Sequence, residues 1–247
     1  MIGLSSFAHY MPQAGLWVAY VQSGFIGQLI VVIQLLLSVT IWSVMLHKHL
    51  YLRRTALVAR RFRKLFDNTS GTLDIYYQQR ESSNPMALIY QSACDKLVRT
   101  LPAADHFAPA DSESRQRSRK LTPQDMTLVK GSTEQALAEQ LAYIEEGMGM
   151  VASGATAAPL LGLLGTVWGL LDAFQAMSGK GSAMLTDVAP GISSAMLTTV
   201  VGLLVAIPSS IGYNALLGRV RGLSIELDGF TDELLGRLSC EFQGRDN

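Results

Sequence analysis

The sequence predicts an all-α membrane protein with three transmembrane helices and long cytoplasmic helical extensions. Apolar residues make up 49% of the 247 residues and charged residues only 16%, which is apolar-rich for a soluble domain of this length. The charges are also unevenly placed, since no Lys, Arg, Asp or Glu occurs before Lys48, between Glu146 and Asp172, or between Asp187 and Arg219. Long uncharged stretches that alternate with charged ones are typical of a chain that crosses a membrane several times.

Three segments are apolar enough to cross a bilayer, which needs roughly 20 mainly apolar residues for a hydrocarbon core of about 30 Å. They are Phe25 to Leu46, which tolerates Gln28 and Gln34, Met150 to Leu171, and Ile192 to Leu217. A soluble all-helical core is the alternative interpretation. The predicted segments are an extracytoplasmic N-terminal segment (1–22), span 1 (23–46), a cytoplasmic helical region (47–147), span 2 (148–176), a short periplasmic loop (177–189), span 3 (190–217) and a cytoplasmic C-terminal helix (218–247).

The basic residues predict the orientation, because Lys and Arg close to a span accumulate on the cytoplasmic side. Those that follow spans 1 and 3 are Lys48, Arg53, Arg54, Arg60, Arg61, Arg63 and Lys64, and Arg219 and Arg221. The loop between spans 2 and 3 holds only Lys180 and Asp187 as charged residues. We therefore expect the N-terminus outside and the C-terminus inside. Span 1 is expected to be a retained anchor, since its basic residues follow the apolar run. The basic residues also suit anionic lipid headgroups, and nothing here predicts nucleic-acid binding.

Capping residues mark where the cytoplasmic helices begin. Asn84-Pro85 and Thr122-Pro123 each place a capping residue before proline, and Asp125 adds an acidic residue to the first turn of the second helix. Between them, residues 103–120 are rich in Pro, Ser and charge, which predicts a loop.

Two long helices are predicted to extend through the membrane boundary. From Pro123 the apolar pattern runs without a breaker into span 2, which predicts one helix of about 50 residues and on the order of 75 Å. The helix of span 3 is predicted to start with Pro190 in its first turn and to continue past Arg219 through Leu238.

Spans 2 and 3 each carry one face of small residues when placed on a helical wheel. These faces comprise Ala152, Ala155, Pro159, Gly162, Thr166, Gly169 and Ala173 on span 2, and Gly191, Ala195, Thr198, Thr199, Gly202, Ala206 and Ser209 on span 3. Small faces let membrane helices approach closely, so the predicted packing residues are Gly162, Gly169, Gly191, Ala195, Gly202 and Ala206. Span 1 has no such face and is expected to lie outermost, against lipid. Pro159 and Pro208 are either kinks that open a vestibule or tolerated breaks.

A threonine lies near mid-depth on each small face, Thr166 on span 2 and Thr199 on span 3. Close packing alone explains Gly, Ala and Ser but explains these threonines less well. A threonine hydroxyl both donates and accepts hydrogen bonds but carries no charge. Neither face holds Asp, Glu or His, so a titratable proton carrier must come from a second protein.

Several motifs of spans 2 and 3 resemble the ExbB/TolQ/MotA family of proton-channel proteins, above all its ExbB and TolQ branches. They are Pro159-Leu-Leu-Gly-Leu-Leu-Gly-Thr-Val-Trp-Gly-Leu-Leu-Asp-Ala-Phe174, Val188-Ala-Pro-Gly-Ile192, Ala195-Met-Leu-Thr-Thr-Val-Val-Gly-Leu203, Ala206-Ile-Pro208 and Tyr213-Asn214. The resemblance covers about Met148 to Leu238, whereas span 1 matches in general layout only.

The resemblance implies a subunit of a bacterial inner-membrane motor, arranged as a homopentameric ring. Such a ring encloses the helices of an ExbD- or TolR-like single-span partner that contributes an intramembrane aspartate. The proton-motive force then becomes movement that is passed to a TonB- or TolA-like protein, for outer-membrane import or for envelope integrity and division. The resemblance implies no enzymatic activity and no cofactor or metal.

The proton pathway implied by the resemblance runs past Thr166, Thr199, Thr198 and Ser194. Thr166 and Thr199 match the two threonines of the family motifs. Ser194 departs from them, because ExbB and TolQ proteins usually carry a glutamate just before the alanine that corresponds to Ala195. This departure favours transfer on the aspartate of the partner.

Other functions find less support in the sequence. An intramembrane hydrolase with Ser194 as nucleophile lacks a Lys or His base in any span, and no catalytic, phosphate-binding or zinc motif occurs. A structural membrane scaffold without ion conduction is the alternative function. His47 and His49 are expected to be interfacial rather than metal ligands. Asp172 is expected to be solvated or to pair across the short loop, with an ion-entry role as the alternative. Cys94 and Cys240 lie far apart in cytoplasmic segments, so no disulfide is expected.

Overall fold

The computed structural model describes residues 17, 19–21, 23–69, 72–73, 75–76, 84–100, 121–178 and 185–242. All regular structure within these residues is helical: α1 Phe25–Asp67, α2 Pro85–Thr100, α3 Pro123–Glu145, α4 Met148–Ser178 and α5 Leu185–Phe242. The chain divides into a first unit, Met1–His47 with Gly147–Leu216, and a second unit, Lys48–Glu146 with Leu217–Asn247. The loop predicted at 103–120 and most of the predicted N-terminal segment lie outside the described residues.

Three stretches of helix in the described chain are long and apolar enough to cross a membrane, as predicted. They lie within Phe25–Asp67, Pro123–Ser178 and Val188–Phe242, and the mean hydropathy of the most apolar 18-residue windows is 2.5, 1.5 and 1.8. Large apolar side chains remain exposed along them, among them Leu160 at 65% and Leu204 at 65%. Because such surfaces are unfavourable in water, they fit contact with lipid or with other apolar helices.

The helix predicted to run unbroken from Pro123 into span 2 is interrupted, so this prediction is wrong. α3 ends at Glu145 and α4 begins at Met148. Between them Gly147 adopts a φ of 79°, a left-handed conformation that glycine tolerates because it lacks a Cβ. The amide of Glu146 still donates to the Ala142 carbonyl at 3.0 Å, which completes the last turn of α3.

α5 confirms the long third helix but begins earlier than predicted. It starts at Leu185, so that Pro190 lies in its second turn, and it continues past Arg219 to Phe242 without a break. Pro190 is therefore an internal proline that removes one backbone hydrogen bond from the helix.

Both helix starts predicted from capping residues are confirmed. The Thr122 hydroxyl accepts from the Asp125 amide at 3.2 Å, and the Asp125 carboxylate accepts from the Thr122 amide at 3.1 Å. These two bonds form a capping box at the start of α3. The bonds from the Thr122 side chain and backbone hold the pKa of Asp125 below its ordinary value. At the start of α2, the Asn84 side chain accepts from the Met86 amide at 3.3 Å.

An aromatic cluster holds the second unit together. Phe62 and Phe66 of α1, Tyr90 of α2 and Phe230 of α5 meet with ring centroids 5.2 to 6.1 Å apart. Their interplanar angles of 63° to 76° are edge-to-face arrangements, which add to the stabilisation from burial. Three helices that are distant in sequence are thereby packed around one apolar core.

Ion pairs border this cluster. The Glu233 carboxylate lies 2.7 Å from both the Arg63 and the Arg237 guanidinium. The Arg237 guanidinium also lies 4.3 Å from the centroid of the Phe66 ring, a cation–π distance. Because these groups are about one-third exposed, each pair adds little stability by itself. The Arg63–Glu233 pair joins α1 to α5, whereas the Glu233–Arg237 pair lies within α5.

The first unit packs by close approach of helix backbones. A Cβ added to Gly169 would lie 2.9 Å from the Ala195 Cβ, and one added to Gly191 would lie 2.9 Å from the Ala173 Cβ. α1 contributes one buried face to this unit, and its opposite face carries exposed leucines and valines. The buried residues are Ile30, Val31, Gln34, Ile41 and Met45.

The glycine contacts predict a position-specific cost for adding one methyl group. In Gly202→Ala the new Cβ would lie 2.7 Å from the Ala158 carbonyl oxygen and 2.9 Å from the Gln34 Nε2. We expect the free energy of unfolding to fall by about 1–3 kcal/mol, measured as a lower melting temperature in detergent. Gly229→Ala on the same helix is the control, because no atom lies within 4 Å of its added Cβ. Equal melting temperatures for the two variants would contradict the predicted contact.

The two free thiols are expected to react very differently. Cys94 is fully buried, whereas Cys240 is exposed. Burial raises the pKa of the Cys94 thiol to about 12, so at pH 7.5 almost no reactive thiolate is present. We expect maleimide to modify Cys240 rapidly in the purified protein and Cys94 only after denaturation, as read by mass spectrometry. The Cys240→Ser variant should then remain unmodified under native conditions; rapid labelling of it would disprove the packing of α2.

Candidate functional site

The four predicted pathway residues differ in their exposure. Thr198 and Ser194 are buried, with 0% and 5% of their surface exposed. Thr166 and Thr199 are half-buried. Within the single chain, only the second pair therefore presents accessible surface.

The threonine hydroxyls differ in the helix they bind. The Thr199 hydroxyl donates to the Gly162 carbonyl on α4 at 3.1 Å, which links α5 to α4. The single hydroxyl proton of Thr198 is within reach of two acceptors, the Ala195 carbonyl at 2.8 Å and the Gly162 carbonyl at 3.3 Å. The Thr166 hydroxyl instead donates to the Leu163 carbonyl of its own helix at 2.7 Å. Two hydroxyls thus converge on one carbonyl, and the third lies apart from them.

Gln34 of α1 completes this polar junction, and sequence reasoning missed its role. Its side chain is fully buried. Its Nε2 donates to the Thr198 carbonyl at 3.1 Å and to the Ala158 carbonyl at 3.3 Å. One carboxamide therefore joins α1, α4 and α5. The signal was a polar residue in the middle of an apolar span, which is costly unless it serves packing or function.

Two glycines give Gln34 access to these carbonyls. In a helix the side chain of residue i+4 lies beside the carbonyl of residue i, since Cβ atoms lean toward the N-terminus. The residues at these positions are Gly162 and Gly202. A Cβ on Gly162 would lie 3.5 Å from the Gln34 Nε2 and one on Gly202 only 2.9 Å from it. The absent side chains leave both carbonyls open to α1.

The Gln34 carboxamide is only half satisfied. Its Oε1 is buried and has no hydrogen-bond partner in the described part of the chain. A buried acceptor without a donor costs free energy, and more so in an apolar medium. The junction thus contains one buried hydrogen-bond acceptor that has no donor in the described part of the chain.

The small face of α4 is rotated relative to its predicted position. Gly162, Gly169 and Ala173 are buried as part of the observed face, but Ala152, Ala155, Pro159 and Thr166 are only half-buried. The other buried members are Val151, Gly154, Ala158 and Gly165. The rotation arises because α1 also packs on α4, where the Ile41 side chain would meet a Cβ on Gly154 at 2.6 Å.

The small face of α5 lies inside the helix contact. Ala195, Thr198, Gly202, Ala206 and Ser209 are buried. Gly191 and Thr199 are half-buried at the edge. These small residues therefore meet the other helices of the same chain.

Asp172 and the two prolines flank the junction along the chain. The Asp172 side chain is exposed, and its Oδ2 would lie 3.3 Å from a Cβ on Gly24, next to the first turn of α1. A helix N-terminus favours a nearby negative charge. α4 and α5 continue as helix through Pro159 and Pro208.

The histidines after span 1 differ in environment. His47 is exposed, and His49 lies beside Arg219, whose Nη1 is 3.0 Å from the His49 Nδ1. Desolvation, followed by the positive charges of Arg219 and Arg53, lowers the pKa of His49. Among the described residues, no three His, Cys, Asp or Glu side chains are grouped so as to hold a metal ion.

The chemistry of the junction is that of hydrogen bonding without charge. Hydroxyls, one carboxamide and backbone carbonyls can order water or a protonated group. None of them titrates near neutral pH, so a proton that moves past them must be carried by something else.

Comparison with known proteins places these features in a family. Residues 104–228 match the profile of the MotA/TolQ/ExbB proton channel family. The Tol-Pal system protein TolQ of Haemophilus influenzae is 27% identical over 218 residues, which cover 87% of this chain and 89% of that protein. TolQ of Pseudomonas aeruginosa is 25% identical over 225 residues, which cover 90% and 92%.

A shorter match reaches higher identity. The biopolymer transport protein ExbB of Salmonella typhimurium is 40% identical over 72 residues, which cover 29% of this chain and 30% of that protein. The family profile spans half of the sequence and includes α3, α4 and most of α5. The chain belongs to the MotA/TolQ/ExbB proton channel family.

Proposed function

We propose that this chain is the subunit of an inner-membrane motor complex that converts the proton-motive force into mechanical work. The observation that carries the proposal is the junction of Gln34, Thr198 and Thr199, which gathers hydrogen-bonding groups from three apolar helices in a proton channel family member. Membrane helices bear the cost of such groups chiefly where they serve packing or transport.

The proton pathway is proposed to run along Thr166 and Thr199, which keep accessible surface. Thr198 and Ser194 lie behind them, and Thr198 sets the position of α5 against α4 through the Gly162 carbonyl. Since neither span holds a carboxylate on these faces and Ser194 occupies the position of the family glutamate, the carrier is a partner's carboxyl group. The threonine hydroxyls steady that group as it passes. Pro159 and Pro208 are proposed to bend their helices and widen one end of the passage.

The partners follow from the same chemistry. An ExbD- or TolR-like single-span protein with an intramembrane Asp supplies the titrating group, and a TonB- or TolA-like protein receives the movement. The match to TolQ proteins over nearly the whole chain favours a role in envelope integrity and division over outer-membrane import.

Several copies of the chain are proposed to surround the partner, as a homopentamer. The second unit leaves large apolar side chains exposed outside the proposed spans, among them Leu128 at 54% and Ile225 at 71%. Apolar surfaces in water are typical of contacts between subunits. The ring is proposed to sit with its N-terminus in the periplasm and its C-terminus in the cytoplasm, where the basic residues after spans 1 and 3 meet the membrane surface.

The threonines test the motor against the alternative of a structural scaffold. Thr166→Val and Thr199→Val keep side-chain shape but remove the hydroxyl. We expect both variants to assemble normally and to lose most proton flux in proteoliposomes with the partner, and to fail to complement a strain that lacks the gene. Thr156→Val is the control, because Thr156 is exposed on α4 and its hydroxyl bonds only to its own helix. Normal flux and complementation in both variants would leave the scaffold as the better function.

Gln34 provides a test that separates stability from conduction. In Gln34→Leu the carbonyls of Ala158 and Thr198 keep their backbone bonds, and the unpaired Oε1 disappears. We therefore expect the free energy of unfolding to change by less than about 1 kcal/mol, while proton-driven function falls because Thr198 and Thr199 lose their fixed position. Gln28→Leu, whose amide bonds to the Tyr20 carbonyl, is the control. A large loss of stability with unchanged proton flux per folded complex would assign Gln34 a purely structural role.

A further inference from the structure

A groove in the second unit is lined by α1 and α5 and joins apolar walls to arginines. Its volume is about 580 Å³. Leu52 and Leu223 form apolar walls and are themselves almost fully buried. Arg53, Arg60 and Arg219 line it together with one carboxylate, Glu226. The groove is therefore both apolar and positively charged.

The positive charge is concentrated at one end of the groove. Arg60 and Glu226 lie two helical turns beyond Arg53 and Arg219, about 10 Å further along α1 and α5. The single carboxylate of the lining thus lies at the level of Arg60, at the far end of the groove, although the two side chains form no ion pair within 4.0 Å. In the described part of the chain, no carboxylate lies within 4.0 Å of Arg53 or Arg219. Two guanidinium groups at the near end remain without an ion-pair partner.

His49 orients one of these two groups without neutralising it. Arg219 Nη1 lies 3.0 Å from the His49 Nδ1, and the nearby arginines together with desolvation hold the pKa of His49 below its ordinary value. Because a guanidinium can only donate, the imidazole accepts the hydrogen bond from Arg219. The other donors of the guanidinium remain free to bind an anion.

The near end of the groove corresponds to the membrane surface. Arg53 follows the end of span 1 and Arg219 follows the end of span 3. Both helices run from the proposed span toward the groove, so their side chains lean back toward the membrane. An arginine two turns or less beyond a span reaches the level of the lipid phosphates.

We propose that Arg53 and Arg219 form a binding site for the headgroup phosphate of an anionic phospholipid, at the membrane end of this groove. Guanidinium groups bind phosphate oxygens in a bidentate manner. A zwitterionic headgroup fits less well, since its cation meets no carboxylate at this end. The apolar walls favour a lipid over a free phosphate ion. This inference rests on the proposed membrane placement of α1 and α5, and not on proton conduction.

The experiment measures lipid retention by the full-length complex. Purified complex is exchanged into nanodiscs of equal parts phosphatidylglycerol and phosphatidylethanolamine, and the lipids that stay bound after detergent release are counted by native mass spectrometry. We expect the wild type to retain phosphatidylglycerol in several-fold excess. The double variant Arg53→Gln with Arg219→Gln should lose this excess, whereas Arg53→Lys with Arg219→Lys should keep part of it.

Neighbouring arginines supply the matched control. Arg54→Gln with Arg221→Gln removes the same charge from exposed positions that do not line the groove, and it should retain the excess of phosphatidylglycerol. An equal loss in this control would show general attraction by the basic surface and would overturn the site. Displacement of the lipid by millimolar inorganic phosphate would also overturn it, in favour of a free-anion site.

Two further measurements distinguish loss of the lipid site from misfolding and from failure of the proposed function. Melting temperatures of all variants identify any that are misfolded; if the double Gln variant is among them, the single variants Arg53→Gln and Arg219→Gln replace it, and each should lose part of the excess. Proton flux is measured in the same preparations. If the groove variants retain phosphatidylglycerol while the threonine variants abolish flux, this inference fails and the proposed function stands.

Discussion

The first unit depends on a contact in which helix backbones themselves touch. In hydrocarbon no water is expelled when helices meet, so association relies on close packing and on polar groups paired within the protein. Gly169 against Ala195 and Gly202 against Ala158 leave no room for an added Cβ. The absence of a side chain on Gly202 also lets the Gln34 carboxamide reach the Ala158 carbonyl. The close approach of the helix backbones and the buried hydrogen bonds of Gln34 therefore depend on the same glycine.

The second unit is stabilised in a different way. Its core is a cluster of edge-to-face aromatic rings from α1, α2 and α5, which is favoured by burial from water. Ion pairs of Glu233 with Arg63 and Arg237 lie at the edge of this cluster. α1 and α5 thus change their mode of packing along their length, from small residues to large aromatic ones.

Composition and capping chemistry predicted much of the fold, because both are local properties. The spans follow from uncharged stretches, and the start of α3 follows from Thr122 and Asp125. The break at Gly147 escaped prediction, since apolar periodicity carries no information about the sign of φ. The rotated face of α4 and the role of Gln34 escaped it for one common reason: a helical wheel treats each helix alone, whereas the buried face is set by two neighbours at once.

The interruption at Glu146 and Gly147 distinguishes the link between α3 and α4 from the other two connections between the units. The polypeptide crosses between the two units three times, and at two of these crossings the helix ladder of α1 or α5 is continuous. The third crossing is a short non-helical link that includes a left-handed glycine. α1 and α5 are therefore each one uninterrupted hydrogen-bonded helix from one unit into the other, whereas α3 and α4 are two separate helices with their own ends.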